Sequence, residues 1–192
     1  MIANASFSKN IAESFLYARA VDAPKKGGRI VFSNKLEVNM PLEVQLAMMV
    51  GFTSEKYETE AYTIVLSHSS EDKEMLEKIR QEDPDLLDSY VLNFLNELQN
   101  QGIDLANTPY VITEHTNTDC LHYHLIICST KFDNSRLDAG YIGKKAAMAA
   151  AKVSKKFGLH YAKNLDRRED AFIEFSKKKQ NSPSSSTPYK RK

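Results

Sequence analysis

The chain holds only two cysteines in 192 residues, Cys120 and Cys128. Both lie in or beside one histidine-rich stretch. On a single strand they would project as near neighbours on a common face, a poor geometry for a disulfide. A reducing, cytoplasmic compartment is therefore the expectation. No apolar run approaches the ~20 residues that span a bilayer. The start, Met1 to Ser6, lacks the basic head and apolar block of a signal peptide. Internal repeats are absent too. With hydrophobic residues at 42% and charged residues at 27%, composition excludes a disordered or fibrous chain and leaves a globular domain with a core of its own.

A net charge of +1 conceals a strong sorting of sign. Residues 1–36 carry a balance of +4, residues 37–120 a balance of −13, and residues 121–192 a balance of +10. Both basic ends are suited to phosphates, although a solvated helix face and a charged tail have the same signature.

Residues 2–7 alternate as a short strand. Ser8 is placed to cap a helix over residues 9–20, with Ile11, Phe15 and Ala18 on its buried side. Pro24, Gly27 and Gly28 break the chain before a strand over residues 29–34. Pro41 opens a helix with Leu42, Val44, Leu46, Met48 and Met49 on its apolar side. Residues 61–67 are rich in β-formers. An acidic helix starts at Ser69 and Ser70, and Asp83-Pro84 begins another that runs to about residue 101. Two strands follow, ending in and starting from histidines. A helix from Gly140 to Lys156 stops at Gly158. A short basic helix is expected over residues 163–179 and a disordered tail over 180–192. A hairpin and helix pairs in this order predict an α+β fold, with a central, mainly antiparallel sheet and flanking helices, formed by residues 1–162.

Three of the five histidines fall within ten residues: His115, His122 and His124. His122 and His124 alternate and so share one face of a strand. If the run from Tyr110 pairs with the run to Cys128, His115 reaches the same place. A lone histidine at a strand end is usually just a polar residue. Three converging imidazoles suit a divalent metal with positions left open. Such a metal can polarise a phosphoryl oxygen, and the nucleophile is then either water or a side chain.

The string from His115 through Asp119 to His122 and His124 resembles the third motif of conjugative relaxases, the mobilisation proteins of the HUH endonuclease class. Residues 2–17 resemble their N-terminal motif, which ends in a tyrosine. Residues 29–34 resemble the strand that follows, especially in relaxases of Bacteroides-type mobile elements, and residues 140–161 the helix after the histidines. The resemblance implies a site- and strand-specific DNA nicking and joining enzyme. In it Tyr17 is the nucleophile that forms a 5′-phosphotyrosine link, with Asp119 assisting. His115, His122 and His124 hold Mg²⁺ or Mn²⁺. Lys25, Lys26, Arg29, Lys144, Lys145, Lys152, Lys155 and Lys156 would contact DNA. The implied partners are single-stranded DNA at an origin of transfer, an accessory DNA-binding protein and a coupling protein.

Tyr17 lies about 200° around its helix from Phe15, clear of the buried stripe. Tyr141 and Tyr161 are rival nucleophiles in the basic C-terminal part. The chain departs from the family at Asn117, Cys128 and Thr63, where acids or other polar residues are common. A rolling-circle replication initiator, a non-catalytic DNA-binding descendant of a relaxase, and a water-using metal hydrolase are the alternative readings.

Overall fold

Five strands build one sheet in a computed structural model that describes residues 1–21, 27–116 and 120–161. They are β1 (Ile2–Ser8), β2 (Gly27–Asn34), β3 (Ala61–Ser67), β4 (Tyr110–His115) and β5 (His122–Cys128). The order across the sheet is β1-β3-β5-β4-β2, and every neighbouring pair is antiparallel. The first two strands thus form the two edges. The later strands fill the middle, so the histidine hairpin β4–β5 is flanked on both sides. The described residues fall within one unit, Met1–Ala162.

The helices are α1 (Ile11–Ala18), α2 (Leu42–Gly51), α3 (Lys73–Glu82), α4 (Pro84–Asn100) and α5 (Ile142–Phe157). They divide between the two sheet faces as the period-2 pattern of β4 and β5 demands. Val111, Ile126 and Cys128 point one way and pack with Ile11, Phe15 and Ala18 of α1 and Met49 of α2. Ile112, Tyr123, Leu125 and Ile127 point the other way, into a larger core with α4 and α5. α1 links the two edge strands, so it must cross the histidine face of the sheet.

Expected and observed elements agree closely, with instructive shifts. The cap of α1 is Asn10, whose Oδ1 accepts the Glu13 N–H at 3.0 Å. Ser8 is unavailable for this because β1 continues through it, pairing with Ala61. β2 begins at Gly27 because its pairing with β4 extends to His115. In α2 the expected inner residue Val44 is 42% exposed, and Gln45 is buried instead. The Gln45 amide donates to Val38 O at 2.9 Å and Met40 O at 2.8 Å, tying the preceding loop down from within.

α4 buries Leu87, Val91, Phe94, Leu95 and Leu98 as expected. Asp83 caps it, accepting from Leu86 N–H at 3.2 Å, and Pro84 opens its first turn. α5 begins two residues later than expected, since Tyr141 adopts a left-handed conformation at φ 59° and Gly158 ends the helix in the same region. Neither cysteine forms a disulfide. No helix among the described residues is long and apolar enough to cross a membrane. The expected segments 163–179 and 180–192 lie outside the described residues.

Candidate metal and nucleophile site

The hairpin register makes the site. His115 stands opposite His122, and Thr113 opposite His124, so all three imidazoles rise from one face. Ring centroids are 4.3 Å apart for His115 and His124, 5.2 Å for His115 and His122, and 5.1 Å for His122 and His124. One nitrogen from each ring lies within 4.8 Å of the others. His115 is 1% exposed and His124 7%, whereas His122 is half-buried at the rim.

Hydrogen bonds select the nitrogens. His115 Nε2 lies 2.8 Å from Ala18 O, and His122 Nδ1 lies 3.2 Å from Cys120 O. A carbonyl can only accept, so each of these nitrogens carries the proton. Neutral rings then hold their lone pairs on His115 Nδ1 and His122 Nε2. Carbonyl partners of this kind are how proteins orient histidine ligands. His124 Nε2 is buried with no hydrogen-bond partner among the described residues. Burial, and then the neighbouring His115 and His122, push the His124 pKa down to about 4. Three converging imidazoles, one of them with a buried nitrogen that finds no partner among the described residues, fit a divalent cation, which binds imidazole in its unprotonated form.

Tyr17 sits over this cluster. Its ring centroid is 5.2 Å from that of His124, edge-on, and 6.1 Å from that of His115. The side chain is 61% exposed, so a strand of DNA can approach it. Phe15 and Ala18, buried beneath α1, hold the helix against Val111 and Ile126 while Tyr17 looks outward. Tyr141 starts α5, which packs on the opposite face, and Tyr161 lies under Lys155 Nζ at 5.4 Å. Of the three tyrosines considered, Tyr17 alone is brought to the histidines.

The other expected site residues are distributed differently. Asp119, Lys25 and Lys26 lie outside the described residues, as does Asn117. Arg29 faces the α4 side of the sheet, where its guanidinium meets Asp88 Oδ1 at 2.7 Å and Glu114 Oε2 at 3.0 Å. Those carboxylates raise its pKa above the ordinary value. Glu114 is buried and also receives Arg80 at 2.6 Å. Lys144, Lys145, Lys152, Lys155 and Lys156 belong to α5, in the layer beneath the sheet, away from the histidine face. Lys152 meets Glu97 at 3.4 Å and Lys156 donates to Asn93 Oδ1 at 2.6 Å.

Thr63, where an acid is common, shares a 2.7 Å hydroxyl contact with Ser6 on the open part of the same face. Cys128 is buried, and burial pushes its thiol up to about 12, so it supplies no nucleophile. Sequence reasoning missed Thr113 and the Ala18 carbonyl. The alternation Val111, Thr113, His115 was a visible signal for the first; nothing local marks the second.

A metal-bound conjugative relaxase TrwC in complex with oriT DNA is similar in fold, with TM-score 0.53 and 13% identity over 97% of this chain and 86% of that one. A metal-free TrwC–oriT DNA structure has TM-score 0.43 and 14% identity over 77% of this chain and 73% of that one. No curated protein matches the chain. The family model described as "Relaxase: MobA/VirD2-like, nuclease domain" matches residues 20–159, the span that carries the histidine hairpin, and the chain belongs to that family of DNA-nicking relaxases.

Proposed function

We propose that Tyr17 is the nucleophile of this relaxase, attacking one phosphodiester of single-stranded DNA at an origin of transfer. The observation that carries this is the exposed Tyr17 ring beside His115 and His124, on the sheet face that α1 crosses. The Tyr17 oxygen bonds to phosphorus and its proton passes to solvent. The bond from phosphorus to the 3′ oxygen breaks, and that oxygen takes a proton and leaves as a 3′-OH. The product is a 5′-phosphotyrosine, and attack by a 3′-OH in the reverse sense reseals the strand.

His115, His122 and His124 are proposed to hold the divalent metal, Mn²⁺ or Mg²⁺. An imidazole set favours Mn²⁺ of the two, since Mg²⁺ demands oxygen donors. When bound, the metal polarises a phosphoryl oxygen and offsets charge that develops on it. The Ala18 and Cys120 carbonyls keep two of the rings in the required tautomers. Asp119 is proposed to assist the reaction, and Lys25 and Lys26 to meet DNA phosphates. Arg29 and the α5 lysines are proposed to add affinity for DNA passing beyond the histidine face, with little sequence preference. Residues 1–162 carry the activity, in the bacterial cytoplasm, with an accessory DNA-binding protein and a coupling protein as partners.

The test is a denaturing gel of the protein with origin-derived single-stranded oligonucleotides in Mn²⁺, beside Tyr17→Phe. A slow-migrating covalent adduct that disappears in Tyr17→Phe is the expected result. An adduct that persists moves the nucleophile elsewhere, and nicked DNA with no protein attached replaces the tyrosine with water.

A further inference from the structure

The end of α1 is closed in an unequal way. A helix leaves its last carbonyls without intrahelical partners. Arg19 N–H reaches Phe15 O at 2.9 Å, Val21 N–H reaches Leu16 O at 3.3 Å, and Ala20 N–H reaches Tyr17 O at 3.0 Å. With Ala20 at φ 52°, the last two bonds make a Schellman turn. The carbonyl of Ala18 is left over, and it points into the sheet. Thr113 Oγ1–H donates to it at 2.8 Å and His115 Nε2–H donates to it at 2.8 Å. Ala18, Thr113 and His115 are all buried, so no water competes for that oxygen, and two donors occupy its two lone pairs.

Thr113 occupies an inward position between Val111 and His115, opposite His124. Valine has the same shape and an equal liking for a strand, so the hydroxyl needs a reason to be there. That reason is the Ala18 carbonyl. We propose that Thr113 is a positioning residue that locks the Ala18 carbonyl, and through it sets both the His115 ligand and the adjacent nucleophile Tyr17. The inference rests on the reading of Tyr17 and of the histidines given above. One oxygen serves two parts of the site. It holds the proton on His115 Nε2, and it lies in the residue next to Tyr17. The separation of nucleophile and ligand is thereby set by hydrogen bonds of defined direction, beyond the apolar packing of α1.

The test uses the full chain with Thr113→Val and Thr113→Ser. Two quantities are measured: single-turnover adduct formation on an origin-derived oligonucleotide at saturating Mn²⁺, and Mn²⁺ binding by the loss of the free-ion electron paramagnetic resonance signal. Outer partners of metal ligands are typically worth about 10–100-fold. Thr113→Val is expected to slow adduct formation about tenfold and weaken Mn²⁺ binding about tenfold, with DNA affinity and final adduct yield unchanged. Thr113→Ser is expected to restore both. Wild-type rate and Mn²⁺ affinity in Thr113→Val overturn the proposal. So does a serine variant as impaired as the valine, or a fall in yield alone, which marks a merely structural role. Tyr17→Phe run alongside separates the two ideas. If adduct persists there, the nucleophile reading fails, while the Mn²⁺ titration still decides whether Thr113 sets His115.

Discussion

Replacing His68 with leucine should remove much of the acid sensitivity of this fold. His68 is 3% exposed, and neither ring nitrogen has a hydrogen-bond partner among the described residues. Its ring stands 6.0 Å from Tyr123 and 6.4 Å from Tyr90, in an aromatic pocket of the larger core. Burial lowers its pKa from 6.5 to about 4, helped by the N-terminal ammonium and opposed by Asp72. An unfolded His68 therefore takes a proton near pH 6.5 that the folded protein refuses until about pH 4. Stability is full above pH 6.5 and falls as pH drops through this window. The loss is about 2 kcal/mol by pH 5 and about 3 kcal/mol below pH 4.

His68→Leu has no proton to take up and buries no orphaned nitrogen. At pH 7.5 it should lie within about 1.5 kcal/mol of wild type. Urea midpoints at pH 7.5 and pH 5, with chelator present, give the comparison. His124 acts in the same direction as His68, while His160, raised chiefly by its bond to Asp72, gains stability toward low pH. Wild type and variant share both, so the difference between their slopes isolates His68. Parallel loss of stability in the two proteins would refute the reasoning.

Three further outcomes are expected. His124→Ala should abolish Mn²⁺ binding as measured by titration while leaving the urea midpoint close to wild type at neutral pH, because the site is built for a ligand rather than for the core; retained Mn²⁺ affinity would remove His124 from the ligand set. Phe15→Ala should cost about 3–5 kcal/mol, since the ring is fully buried under α1, and adduct yield should fall with it as the helix bearing Tyr17 loosens; a small change in thermal midpoint would mean that α1 is held otherwise. Lys155→Ala with Lys156→Ala should lower the salt dependence of DNA binding by about 1–2 in log–log slope, with the cleavage rate at saturating DNA unchanged; an unaltered slope would place these lysines outside the DNA path.

Local pattern settled much of this protein before any folding was considered. Alternation in Tyr110–His115 and His122–Cys128 made both runs strands, and a pairing of such runs has to stack His115, His122 and His124 on one face. The stripe of α4 and the Asp83-Pro84 start were equally legible, because helix period and capping chemistry act over a few residues. Tertiary structure decided the rest. β1 and β2 became the edges, which obliged α1 to cross the histidine face and brought Tyr17 to the imidazoles. The chain alone offers Arg29 as a basic residue, and only the fold pairs its guanidinium with Asp88 and Glu114, residues far from it in sequence. The α5 lysines are read from the chain as DNA contacts, and only the fold sets their helix on the face opposite the histidines. Which nitrogen of His115 carries its proton depends on the Ala18 carbonyl, 97 residues away. Periodicity is a short-range property of a strand or helix, whereas the face an element covers and the partner a polar group finds follow from long-range crossings and burial.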